Sequence, residues 1–182
     1  MTRRGTYQWA VAALVLLAAG SAAAVPPGSP AASESLALCN RANALRGAER
    51  EATLARGMEL AEGALAADAR DARAHFAAVC NLGKQMEAQG IGLGQLLNLR
   101  RLRRELDTAL ELAPGDADAL VAKGALLLHL PRLLGGDVAE AEALLRRALR
   151  AEPDNDEARC YLAHALSARG AEGEARVLAA RC

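Results

Sequence analysis

The chain has 182 residues, enough for one domain or a short repeat array. Its 22 basic and 22 acidic side chains cancel, which excludes strong attraction of the whole chain to nucleic acid. Apolar residues make up 52% of it but aromatics only 2%, so Ala and Leu carry the apolar content; both form helices well, and no run of alternating β-branched residues argues for a sheet.

The N-terminus reads as a secretory signal peptide over residues 1–24. Arg3 and Arg4 give a positive start, Trp9–Ala19 an apolar run, and SAAAV an Ala-Ala-Ala cleavage site before Val25. That run falls short of the ~20 residues a membrane-spanning helix needs. No Cys closely follows the cleavage site, which argues against a lipoprotein. VPPGSPAAS, residues 25–33, reads as a Pro-rich linker. The folded domain is expected from residue 34 to 182, exported to the periplasm or secreted. A membrane would then be met only through an uncleaved signal segment.

The first helical pattern, SESLALCNRANALRG, starts at Ser33 or Ser35 and stops at Gly47. The second, GAEREATLARGMELAEGALAADA, places Leu54, Met58, Ala61 and Leu65 on one stripe. The third, RDARAHFAAVCNLGKQMEAQG, does the same with Ala74, Ala77, Ala78 and Leu82. GIGLGQ separates it from the fourth, LLNLRRLRRELDTALELA, which must end at Pro114 because Pro lacks the N–H and clashes with the preceding turn. Asp116 is placed to cap the fifth, ADALVAKGALLLHL. LPRLLGG interrupts. Asp137, with Glu140 three residues on, has the pattern of a capping box opening the sixth helix. Pro153 ends that helix, Asn155 is placed to cap DEARCYLAHALSARG, and AEGEARVLAARC closes the chain.

A phrase recurs in this sequence. ALELAPGDADAL, from Ala109, is echoed by ALRAEPDNDEAR, from Ala148. Helix, tight Pro turn and helix therefore form a repeating unit. On these residues the chain resembles the tetratricopeptide repeat family. Gly124, Ala141, Ala148 and Pro153 fill the unit's small-residue, Ala, Ala and Pro places; Ala163, Gly170 and Ala175 fit the next unit, and Ala109 and Pro114 close the preceding one. Ala64 matches in the first unit, but Ala69 replaces the Pro. The resemblance implies an all-α, right-handed solenoid of about four antiparallel helical hairpins. It implies a concave, partner-binding surface lined by the first helix of each pair. By the repeat register, that groove would present Arg73, Phe76, Lys84, Asp118, Val121, His129, Glu157 and His164. LPRLLGGD is an insert relative to the family's unit. It is similar to one in exported bacterial tetratricopeptide-like proteins encoded with transporters, including a periplasmic component of some TRAP-type systems.

Other features carry less chemistry. Gly90, Gly92 and Gly94 follow no strand and lack a Lys-Ser/Thr pair, so they read as a loop rather than a phosphate cradle. Arg100, Arg101, Arg103 and Arg104 read as a solvated helix face, with Arg101–Glu105 and Arg103–Asp107 pairs at i, i+4; Arg146 and Arg147 read likewise. His75, His129 and His164 are dispersed and read as histidines packing between helices. His75 and Cys80 lie five apart, on poorly aligned faces, whereas a Cys–His nucleophile needs hydrogen-bond reach. The acidic residues are expected at caps or on exposed faces. The even cysteine count of an exported chain suggests two disulfides. Cys160 near the start of one helix and Cys182 at the end of its hairpin partner make the first pair, leaving Cys39 with Cys80. No two of the four have the short spacing of a structural zinc site.

The sequence therefore predicts a non-enzymatic adaptor or scaffold of the cell envelope that binds a protein or peptide, with no cofactor and no nucleic acid. One alternative is a periplasmic component associated with a membrane transporter. Another, of a different class, is a thiol- or metal-dependent enzyme.

Overall fold

The computed structural model describes residues 27–89 and 93–182. The residues read as a signal peptide, and Gly90 and Gly92 of GIGLGQ, lie outside the described residues. Within them the chain is all-helical: α1 (Pro30–Arg41), α2 (Gly47–Ala67), α3 (Ala72–Gln89), α4 (Leu93–Leu112), α5 (Ala117–His129), α6 (Val138–Ala151), α7 (Asp156–Ala168) and α8 (Glu172–Ala179), with short 3-10 turns at Ala42–Ala44 and Arg132–Leu134. Successive helices pair as antiparallel hairpins, and neighbouring hairpins stack. The four-hairpin expectation is met.

The ends of the helices follow local chemistry. The Asp116 and Asn155 side chains accept from the Ala119 and Ala158 N–H groups, at 3.1 and 2.8 Å, as their positions after Pro114 and Pro153 require. Asp137 accepts from Ala139 and Glu140, but only half of the expected capping box forms. The Asp137 N–H donates back to the Leu127 carbonyl instead, and Glu140 lies 3.8 Å from Lys123. The long turn before α6 brings that carbonyl within reach, so the N–H has no need of a Glu140 carboxylate.

Helix α1 begins at Pro30, inside the stretch read as linker. Ser29 caps it through the Ala32 N–H, and Pro30 sits in the first turn, where its missing N–H costs nothing. The Ser29 N–H donates to Asp71 at 2.8 Å, and Asp71 also receives the Arg73 and Ala74 N–H groups opening α3. Burial alone would raise the Asp71 carboxyl. Its hydrogen bonds from Ser29, Ala74 and Arg73 outweigh that and hold it below the ordinary aspartate range.

Small residues let the helices approach closely. Ala61, Ala77 and Ala78 are fully buried between α2 and α3, with Leu36 of α1 beside them. Gly57 presses on Asn81: a Cβ there would stand 2.2 Å from the Asn81 Oδ1. Around that contact the Ser35 hydroxyl donates to the Gly57 carbonyl at 2.6 Å and accepts from Asn81 at 3.0 Å, pinning α1, α2 and α3 together. Cys39–Cys80 bonds α1 to α3, and Cys160–Cys182 bonds α7 to the end of the chain, the pairing expected from hairpin geometry. In the second half, Gly124 of α5 sits under Leu145 of α6, where a Cβ would approach to 2.8 Å.

The α4–α5 junction is thinner than the others and is held by a cluster of Val79, Leu82, Leu102, Leu106 and Ala119 and by a 2.9 Å Lys123–Asp107 ion pair. That pair replaces the expected Arg103–Asp107 contact. Arg101 does lie 3.9 Å from Glu105, but its nearer partner is Glu62 of α2, at 2.6 Å. Glu105 is taken up by His75, 2.7 Å away, whose other ring nitrogen meets the Ala69 carbonyl at 3.0 Å. Glu142 corrects the expectation that acids stay at caps or on the surface. It is buried at 5% exposure and paired with Arg146 and Arg169 across the α6–α7 packing. Arg147 likewise donates to the Pro114 carbonyl at 3.0 Å, so this arginine pair ties repeats together rather than only facing solvent.

Two predictions follow from this packing. Gly57→Ala forces Asn81 away from α2 and should cost about 1–3 kcal/mol in chemical denaturation, despite the better helix propensity of Ala. The unreduced protein should show no titratable thiol, and Cys39→Ala/Cys80→Ala should lose roughly 3–4 kcal/mol, the loop-closure value for such a separation.

Candidate functional site: the α3–α5–α7 face

Among the first helices of hairpins two, three and four, α5 and α7 contact each other, and α3 meets α5 through the cluster of Val79, Leu82, Leu102, Leu106 and Ala119 shared with α4. The pattern that buries Ala119, Leu120 and Val121 on α5 turns Asp118 outward at its first turn. On α7, Ala158 and Leu162 go inward while Glu157 and His164 remain exposed. Tyr161, half-buried, falls one helical turn from both.

Electrostatics shows which of these groups converge. Burial pushes the Asp118 carboxyl above the ordinary aspartate range, and the Asp116, Glu152 and Glu157 carboxylates add to it while Arg73 of α3 opposes them. Burial also raises the Tyr161 phenol, helped by Glu157 on its own helix and by Glu87 near the end of α3. The His129 ring meets the Tyr161 ring edge-on at 6.0 Å between centroids, and its Nδ1 faces the Ala125 carbonyl at 2.7 Å.

Of the residues predicted to line the groove, Arg73, Asp118 and Glu157 share one electrostatic neighbourhood, and His129 joins it through Tyr161. The others sit differently. Val121 is 3% exposed and packs in the core of the second half. Phe76 is half-buried between two apolar clusters of the first half. Lys84 donates to Asn43 in the turn after α1, with its own carbonyl accepting from Arg50 at 3.3 Å. His164 is exposed on α7. His75 is buried, as a histidine packing between helices should be, whereas His129 and His164 are not. Tyr161 is the group the register reading left out. Its place four after Glu157 and three before His164 was the available signal.

Among the described residues no three His, Cys, Asp or Glu side chains converge as a metal site, and all four cysteines are in disulfides. The face offers instead a half-buried phenol, an imidazole edge and an excess of carboxylates. That set suits a basic group presented from an extended segment or a helix. The carboxyl carbon of Asp118 followed by NMR should titrate with a midpoint above the ordinary aspartate value of about 3.9. Arg73→Gln should move that midpoint further up and Glu157→Gln should bring it down.

Residues 132–181 fit the family model for the tetratricopeptide repeat. No curated protein matches the chain. The matched segment holds α6, α7 and α8 with their Pro153 turn and Asn155 cap, and so carries the second copy of the repeated phrase. Residues 132–181 are thus similar to the tetratricopeptide repeat, which generally mediates protein–protein interaction.

Proposed function

We propose that the protein is a non-enzymatic adaptor of the cell envelope that holds a peptide or helix of a partner protein on its α3–α5–α7 face. The observation that carries this is the excess of carboxylates beside an aromatic pair: Asp118 and Glu157 are exposed, and half-buried Tyr161 meets His129 edge-on at 6.0 Å. Carboxylates forced together at a partly desolvated surface are relieved by an incoming positive charge. A Lys or Arg on the partner would gain a charge-assisted hydrogen bond there, while Tyr161 supplies apolar area with a polar tip. Two disulfides suit an oxidising compartment outside the cytosol, and no helix among the described residues is long and apolar enough to cross a membrane.

Crosslinking the protein in its native envelope, then affinity purification and mass spectrometry, tests this reading. One recurrent protein partner is expected. It should be lost from an Asp118→Lys/Glu157→Lys variant whose helical circular dichroism is unchanged. A partner retained by that variant, or no protein partner at all, would sink the proposal. If the partner is a membrane transporter, the adaptor narrows to a transporter-associated component.

A further inference from the structure

We infer that a second surface, built by α4 and the turn between α5 and α6, docks onto an anionic lipid bilayer. It does not depend on the reading that a protein binds the α3–α5–α7 face.

The sequence segregates charge here. Leu93–Arg104 contains four arginines and no acid, and Gly124–Gly136 contains Arg132 and no acid. The fold joins the two stretches, because the Arg103 guanidinium donates to the Leu134 carbonyl. Arg101 is consumed by Glu62 and Glu105. Arg100, Arg104 and Arg132 meet no carboxylate within ion-pair distance among the described residues, although the chain as a whole is neutral. Glu105, next to Arg104 in sequence, is taken up by His75 and Arg101, and Asp137, the acid nearest Arg132, accepts from the Glu140 and Ala139 N–H groups, which hold its carboxyl below the ordinary range with help from Arg132.

The same edge exposes apolar side chains. Leu133 is 96% exposed and Leu97 67%, with Leu96 and Leu134 also open. Leu133 is held out by the backbone. The Leu134, Gly135 and Gly136 N–H groups return to Pro131 and Arg132 carbonyls at 2.8–3.0 Å, Gly135 turns with φ at +81°, and a Cβ on Gly136 would stand 1.8 Å from the Leu130 carbonyl oxygen. A built turn that presents a leucine to water calls for an apolar cover, and the guanidiniums around it call for an anionic one. Leu133 protrudes, so a protein partner would need a matching pocket. A fluid bilayer deforms around a protruding leucine and lays anionic headgroups against the arginines.

The test uses the full chain with Trp9→Phe, so that Leu133→Trp provides the sole tryptophan. Vesicles of phosphatidylcholine with phosphatidylglycerol are compared with phosphatidylcholine alone. The emission from position 133 should shift to the blue and be quenched by brominated acyl chains on the anionic vesicles only. Adding Arg100→Gln/Arg104→Gln should weaken that response on the order of tenfold or more. A tryptophan placed instead by Val177→Trp on α8, also exposed, should not respond. The full chain allows for attachment by its N-terminal segment, because the readout is local to the edge. Unshifted emission from position 133, an equal shift on neutral vesicles, or a shift indifferent to the arginines would each overturn the inference. So would a shift given by polyglutamate but not by vesicles.

Discussion

Close approach of helices across small residues is the constraint on which the rest depends. With almost no aromatic side chains, each buried residue brings little apolar area, so contact must come from proximity. Gly57 against Asn81 and Gly124 against Leu145 mark where backbones approach most tightly, and the fully buried Ala61, Ala77, Ala78 and Ala148 line the helices between them. A core this thin is supplemented by other means. Ser35 and Asn81 hydrogen-bond inside the first half, His75 holds α3 to α4 through Glu105, and one disulfide spans the first two hairpins.

The tight stacking also fixes the electrostatics. Stacking brings Asp116, Glu152 and Glu157 near enough to Asp118, at the first turn of α5, to raise its carboxyl together with burial. The fold tolerates that crowding because the groups stay near solvent and Arg73 offsets part of it. Elsewhere like charges are neutralised at once: Glu142 is buried only because Arg146 and Arg169 both reach it. The face that keeps its charge unbalanced is therefore distinct from the contacts that hold the array together.

Much of the architecture was legible from local rules. The two Pro turns, the Asp116 and Asn155 caps and the hairpin order follow from residues a few positions apart, whose consequences do not depend on what packs against them. The cysteine pairing was legible too, since a hairpin places the start of one helix beside the end of the next. Register reading served the groove less well. It gathered Arg73, Asp118 and Glu157 but included Val121, which the core claims, and passed over Tyr161. A helix face is some hundred degrees wide, and only the neighbouring helix decides which edge of it is covered.

The sequence by itself determined the helices, their ends and the repeating unit, because each rests on short-range stereochemistry, and the hairpin order then paired the cysteines. Tertiary structure alone decided the charge partners and the surfaces. Arg101 reached Glu62 and Asp107 met Lys123 across hairpins, leaving the expected Arg103–Asp107 pair unmade. The LPRLLGG insert came to rest beside the arginines of α4. Long side chains choose among partners by distance in space, and that distance is set only when the hairpins stack.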